Sequence, residues 1–257
     1  MKNVLITVIG TWHSSSSQNW MECESTWVPK LREKGFEVLY LMSNPHLKNY
    51  YEKIGNFFFS SCRDGKEDHY HKNHLYISKY LLEETDYEYR LHVDSDSFIH
   101  PDRIIPFLEQ FTSGEEKKDF VGCVHPYPGI NSNIHNTFLV EDPNSFLSGG
   151  SGFLLSREIH THLLNDFNPD SVNNLREGEP LRTPTYCYDD VVVSKIIRNA
   201  GFETWHDSRF LFTSPYKNTL DNPYNLPLNF IGDKDSFLAV QHYVNGHMQE
   251  IMNKLEL

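Results

Sequence analysis

The chain has 257 residues, 39% hydrophobic and 14% aromatic, enough to bury one large core or two small ones. Its formal net charge of −12 repels phosphate, which argues against nucleic acid or an anionic membrane as a direct partner and demands a cation between the protein and any anionic substrate. No apolar run approaches the roughly 18 to 20 residues of a spanning helix, so the expectation is a soluble, cytoplasmic protein if the chain is full length, with its four widely spaced cysteines reduced and packed.

In chain order, Val4 to Thr11 is a β-branched run that ends in the polar "TWHSSSSQ", the pattern of a buried strand opening into a loop. A helix is predicted over Trp20 to Lys34, stopped by Gly35, and "FEVLYLMS" supplies a second strand closed by Asn44-Pro45. This is a βαβ opening, and the fold class is α/β. From Glu67 to Leu82, Tyr70, His74, Ile77, Leu81 and Leu82 recur at helical spacing, and "YEYRLHV" then alternates as a strand. Pro101 and Asp102 start a further helix. "FVGCV" and "GSGFLLS" are strand candidates, as are Phe202 to Trp205 and "SFLAVQHYV", while a helix is predicted over Asp190 to Ala200 with Gly201 after it. The polar stretches Asn165–Thr185 and Thr213–Asp235 have the composition of functional loops or lids. No linker divides the chain.

The chemistry begins at "LHVDSDSFIH", where two carboxylates interrupt an apolar pattern. Along an extended strand residues two apart project to one side, so Asp94 and Asp96 can converge on a hard divalent cation, Mg²⁺ or Mn²⁺. Three chemistries use such a pair: a sugar-nucleotide site, the nucleophile loop of a phosphatase, and a calcium loop. The last lacks its turn glycine. Three downstream elements bear on the choice. "SGGSGFLLS" places Gly149, Gly150 and Ser151 where a backbone can approach a ligand closely. "YDDVVVSKIIRNAGF" places Asp189 as a helix cap and Asp190 as a residue to face the cleft as a base. "LAVQHYVNGH" ends a strand on His242, an imidazole able to complete a cation site.

In this order, the segments Lys72–Leu82, "VDSDSFI", "GGSGFLLS", "YDDVVVSKIIRNAGF" and "VQHYV" resemble the motifs of GT-A glycosyltransferases, and more closely of the Fringe and β1,3-galactosyl/N-acetylglucosaminyltransferase family. The resemblance runs from about residue 4 to 245, and "WMECESTW" is similar to that family's "RxxxxxTW" helix without its arginine. Two positions depart from the pattern: Ser95 stands for the middle acidic residue of a triplet, and Ser194 for a glycine after the acidic helix start. The resemblance implies a GT-A, Rossmann-like fold with a mixed, mostly parallel central sheet flanked by helices, forming one domain over 1–257. Residues 1–100 then bind nucleotide and 101–257 bind acceptor.

It also implies a metal-dependent, inverting transfer from a nucleoside-diphosphate sugar, UDP in the first instance, to a hydroxyl of a glycan or glycoconjugate. Asp96 and His242 are then Mn²⁺ (or Mg²⁺) ligands, Asp94 a ligand of the metal or the ribose, and Asp190 the general base. Thr11, Trp12 and Ser95 fall beside the nucleotide, and Gly149, Gly150 and Ser151 beside donor sugar or acceptor. Animal members are usually anchored in the Golgi, so a chain that starts at its first strand is expected to be a cytosolic relative or a catalytic domain without its anchor. Two rivals stay open: a haloacid-dehalogenase-type phosphatase with Asp94 as nucleophile and Asp96 as acid, and an inactive module that holds a sugar nucleotide or glycan. "HYHKNH" invites a zinc reading, but on a helix only His71 and His74 share a face, and the stretch is expected to be a solvated helix surface. Trp205, Tyr186 and Tyr127 are candidates to stack on sugar rings.

Overall fold

The computed structural model of the chain describes residues 3–10, 17–63, 69–113, 116–125, 136–142, 145–166, 189–211, 230–232, 234–242, 244 and 246–257. Its centre is a nine-stranded sheet in the order β3-β4-β2-β1-β5-β11-β7-β12-β9. The strands are β1 (Val4–Ile9), β2 (Glu37–Ser43), β3 (Tyr51–Ile54), β4 (Phe57–Ser60), β5 (Tyr89–Asp94), β7 (Phe120–Gly122), β9 (Thr137–Leu139), β11 (Phe153–Ser156) and β12 (Trp205–Asp207). Strands β4, β2, β1, β5, β7 and β12 point one way, and β3, β11 and β9 the other. The mixed, mostly parallel sheet flanked by helices is the α/β architecture expected from the sequence.

Strand β1 is apolar without alternation because both of its faces are covered. Val4, Ile6 and Val8 pack with Trp27, Val28 and Leu31, whereas Leu5 and Ile9 join Leu39, Leu41, Ile77 and Leu81 on the other side. A third cluster, of Phe120, Phe153, Leu155, Ile159, Leu163, Val193 and Ile197, fills the far half of the sheet. Helices α1 (Ser17–Ser25), α2 (Trp27–Glu33), α3 (His69–Glu84), α4 (Ile104–Thr112), α5 (Arg157–Asp166), α6 (Asp189–Asn199) and α7 (Met248–Leu255) complete the layers. No helix among the described residues is long and apolar enough to cross a membrane.

Several boundaries move. The single helix over Trp20 to Lys34 is two, broken at Thr26. Pro29 offers no N–H to the carbonyl of Ser25 and its ring crowds that carbonyl, so the helix restarts. The helix expected from Pro101 begins at Ile104, after a turn in which His100 Nδ1 accepts the N–H groups of Asp102 (3.2 Å) and Arg103 (3.4 Å). The strand placed at Phe202 to Trp205 lies at Trp205–Asp207. Among the described residues of "SFLAVQHYV", β14 (Val240–Gln241) alone is ladder. It pairs with β13 (Phe210–Leu211) and with β6 (Phe98–Ile99) in a separate three-stranded sheet. Strands β8 (Val124–His125) and β10 (Phe146–Leu147) form a small antiparallel pair. Cys23, Cys62 and Cys123 are buried. The segments 167–188 and 212–229, which carry most of the predicted loops, fall outside the described residues, as do Cys187, Tyr127 and Tyr186.

Candidate active site

Strand β5 ends on Asp94 opposite Ile9 of β1, and the Ser95 N–H donates to the Ile9 carbonyl (3.0 Å). The chain then turns, with Ser97 N–H on the Asp94 carbonyl (3.1 Å), and leaves as β6. This turn aims both carboxylates at the carboxyl edge of the parallel strands, where open α/β sheets bind ligands. Cys23 in α1 fixes it from outside, its thiol donating to the Ser95 carbonyl at 3.1 Å. Burial pushes that thiol's pKa well above its ordinary value, and the charges of Glu22 and Asp96 add to the effect.

The small sheet brings in the distant ligand. Gln241 of β14 lies opposite Phe98 of β6, His242 N–H donates to the Leu211 carbonyl (3.0 Å), and Val244 N–H donates to the Asp96 carbonyl (2.9 Å). His242 Nε2 thereby stands 3.0 Å from Asp96 Oδ1 and 3.9 Å from Asp94 Oδ2. One ligand atom from each of Asp94, Asp96 and His242 lies within 4.8 Å of the others. Asp96 Oδ1 is shielded from solvent and has no hydrogen bond among the described residues. Two hard carboxylates and an imidazole, with a buried oxygen turned toward them, fit a divalent cation.

The glycines join this cluster to the expected base. Gly149 N–H donates to Asp190 Oδ2 (3.1 Å), while Asp190 Oδ1 accepts the N–H of Val191 (2.8 Å) at the start of α6. Gly150 lies against the His242 ring so closely that a Cβ there would sit 2.1 to 2.5 Å from three ring atoms. Its carbonyl accepts the Ser97 hydroxyl at 2.5 Å. Gly152 takes φ +92, and a Cβ on it would meet the His92 carbonyl at 2.7 Å. Ser151 is buried and turned inward, its hydroxyl on the Ser148 carbonyl (3.3 Å). Ser194, in place of a glycine, receives the N–H of Leu147 (3.2 Å) and ties α6 to β10.

Thus Asp94, Ser95, Asp96, Gly149, Gly150, Ser151, Asp190 and His242 gather at one end of the sheet. Thr11 and Trp12 lie outside the described residues, although Gly10 before them sits beside the Asp94 turn. One sequence expectation is corrected. His74 is not on a solvated surface: it is buried beneath the sheet, and its Nδ1 accepts Arg90 Nη2 (3.1 Å). At Trp205 the Lys118 ammonium lies 3.5 Å from the ring centre, over one face of the indole. Sequence reasoning missed Cys23, Ser97 and the buried Arg90–His92 pair below the turn. A basic residue inside an otherwise apolar strand is the one signal that marked the last of these. Burial and the neighbouring Arg90 hold the His92 pKa well below its ordinary value.

The family whose model matches this sequence is described as Fringe-like, over residues 7–214. Among solved structures the chain is similar to a glycosyltransferase involved in the glycosylation of the major capsid of PBCV-1, with 14% identity, 98% of each chain covered and a TM-score of 0.50. At that identity the likeness speaks for the fold. No curated protein matches the chain by sequence.

Proposed function

The chain belongs to the Fringe-like family and is a glycosyltransferase, and we propose that it moves a sugar from a nucleoside diphosphate, UDP in the first instance, to a glycan or glycoconjugate hydroxyl with inversion. The observation that supports this reading most is the convergence of Asp94, Asp96 and His242 within 4.8 Å, beside a loop whose Gly149 N–H holds Asp190. Asp96 and His242 would hold Mn²⁺ or Mg²⁺, and Asp94 the same ion or the ribose. When bound, the cation supplies charge neutralisation for the departing diphosphate.

The chain's own residues do the rest. Residues 1–100 present the nucleotide-facing turn, and 101–257 supply the acceptor side. The N–H groups of Gly149 and Val191 orient the Asp190 carboxylate, which takes the proton from the acceptor hydroxyl as its oxygen attacks the anomeric carbon. The bond to the diphosphate oxygen breaks on the opposite face, so a single displacement inverts the centre. The glycine loop, packed on His242, gives the sugar a wall without side chains.

The test is release of nucleoside diphosphate from a panel of nucleotide sugars with and without Mn²⁺, with para-nitrophenyl phosphate as a parallel substrate. Mn²⁺-dependent release from one donor is expected, and Asp96→Ala should abolish Mn²⁺-dependent UDP binding in calorimetry. Asp190→Asn should lower kcat by about 10² to 10⁴-fold with donor affinity kept. Hydrolysis of para-nitrophenyl phosphate with no donor turnover would overturn the reading in favour of a phosphatase, and nucleotide binding without turnover would leave only a binding module.

A further inference from the structure

Below the carboxylate turn, strands β1 and β5 and helix α3 enclose a polar group that the transfer chemistry does not use. Arg90 is fully buried. Its Nε donates to Thr7 Oγ1 (2.9 Å), and its Nη2 donates to the Nδ1 atoms of His92 (2.9 Å) and His74 (3.1 Å). A guanidinium carries donors only, so each of these Nδ1 atoms must present its lone pair. For His92 this fixes the tautomer: the ring proton is on Nε2, and the same contact excludes a second proton on Nδ1.

That Nε2 is buried, has no hydrogen-bond partner among the described residues, and stands 3.9 Å from Asp94 Oδ1. His92 lies two residues before Asp94 on one side of the strand, so both project the same way. The ring is confined between His74, with centroids 4.7 Å apart, and Phe153, at 5.1 Å. Both contacts restrain the ring. A buried donor is costly to leave unmet, and the carboxylate it faces, Asp94, belongs to the candidate donor site.

We propose that Arg90 and His92 are positioning residues for Asp94: the arginine fixes the Nε2–H tautomer, and that N–H, 3.9 Å from Asp94 Oδ1 and beyond hydrogen-bond distance, attracts that carboxylate oxygen electrostatically so that the other is presented to the donor's cation or ribose. This rests on the reading of Asp94 as a donor-facing residue. The arrangement is of the kind in which an outer polar group orients a ligating carboxylate. It differs from mere core filling in that the polarity of the ring, and not its volume, is what matters.

Two measurements decide it. In ¹⁵N spectra of the wild-type protein, with His92 assigned through His92→Asn, the expected pattern is a bare Nδ1 and a protonated Nε2 whose resonance shifts in Asp94→Asn. A proton on Nδ1, or an Nε2 signal indifferent to Asp94→Asn, overturns the proposal, and neither result depends on metal or activity. The second measurement is Mn²⁺ affinity in the presence of UDP. His92→Asn keeps an acceptor for Arg90 but has no N–H at the Nε2 position, whereas His92→Gln restores an amide N–H there. The expected outcome is roughly ten-fold weaker Mn²⁺ binding in His92→Asn and recovery toward wild type in His92→Gln. Wild-type affinity in a folded His92→Asn overturns the proposal. If the wild-type protein itself binds no Mn²⁺, or if the variants do not fold, the first measurement decides the tautomer by itself. Absence of wild-type Mn²⁺ binding then counts against the metal reading instead.

Discussion

At the scale of single residues, the two adjacent glycines perform different tasks. A Cβ at Gly149 would rest 3.4 Å from the Asp190 Cβ, at the edge of ordinary contact, while one at Gly150 would overlap the His242 ring. Gly149→Ala should therefore be mild. Gly150→Ala must displace the imidazole, with a stability cost of about 1 to 3 kcal/mol for overpacking and a much larger fractional loss of Mn²⁺-dependent UDP affinity. Calorimetry of the two variants side by side checks this, and equal affinities would count against His242 as a ligand. The pair "GG" was visible in the sequence, but which glycine guards which partner was not. That assignment follows from residues 41 and 92 positions further along the chain.

At the scale of elements, the site depends on how the C-terminal segment is pinned. Glu22 of α1 accepts the N–H groups of Gly246 (2.6 Å) and Met248 (2.8 Å) just before α7, and Val244 N–H bonds the Asp96 carbonyl. The strap that presents His242 is thus fastened at both ends by elements from the first hundred residues. Glu22→Gln keeps the volume but gives up the charge and one acceptor. It should lower stability by up to about 1.5 to 3 kcal/mol, the range for hydrogen bonds to a charged group, and weaken Mn²⁺ binding although residue 22 touches no ligand. Urea unfolding and calorimetry on the one variant read both effects. Elements such as β14 and β6, two residues each, carry no periodicity to detect, which is why "SFLAVQHYV" reads as one long strand. The long helix α3 and the apolar β1 and β2 were legible because their patterns persist over many residues.

At the scale of the molecule, buried histidines set the response to acid. Burial lowers the pKa of His100 and of His206 to about 4, with Arg103 adding to the shift at His100, and burial with Arg90 holds His160 well below its ordinary value. Each is neutral in the fold and takes a proton near pH 6.5 once unfolded. The unfolded chain therefore binds more protons between pH 6.5 and about 4. Stability is fully present above that window and is lost as pH falls through it, by up to about 1.4 kcal/mol per pH unit for each such histidine. Urea midpoints measured from pH 7.5 to 4.5 should stay level above pH 6.5 and then decline. A flat profile across the lower range would contradict the buried, neutral assignment.

By itself the sequence determined the α/β class and the order of the principal strands along the chain, and it singled out Asp94, Asp96, Gly149, Gly150, Asp190 and His242 as candidate site residues. The class rests on local physics, apolar strand runs and helical spacing above all, whereas the candidate roles came from the resemblance of the motifs taken in order. Only the tertiary structure decided that these residues meet. His242 reaches Asp96 through a two-residue ladder, and Asp190 reaches the glycine loop through one N–H contact. The tertiary structure also moved His74 from surface to core and placed Arg90 under the site. Contacts between residues far apart in the chain arise from packing of whole layers, and no periodicity within a dozen residues can encode them.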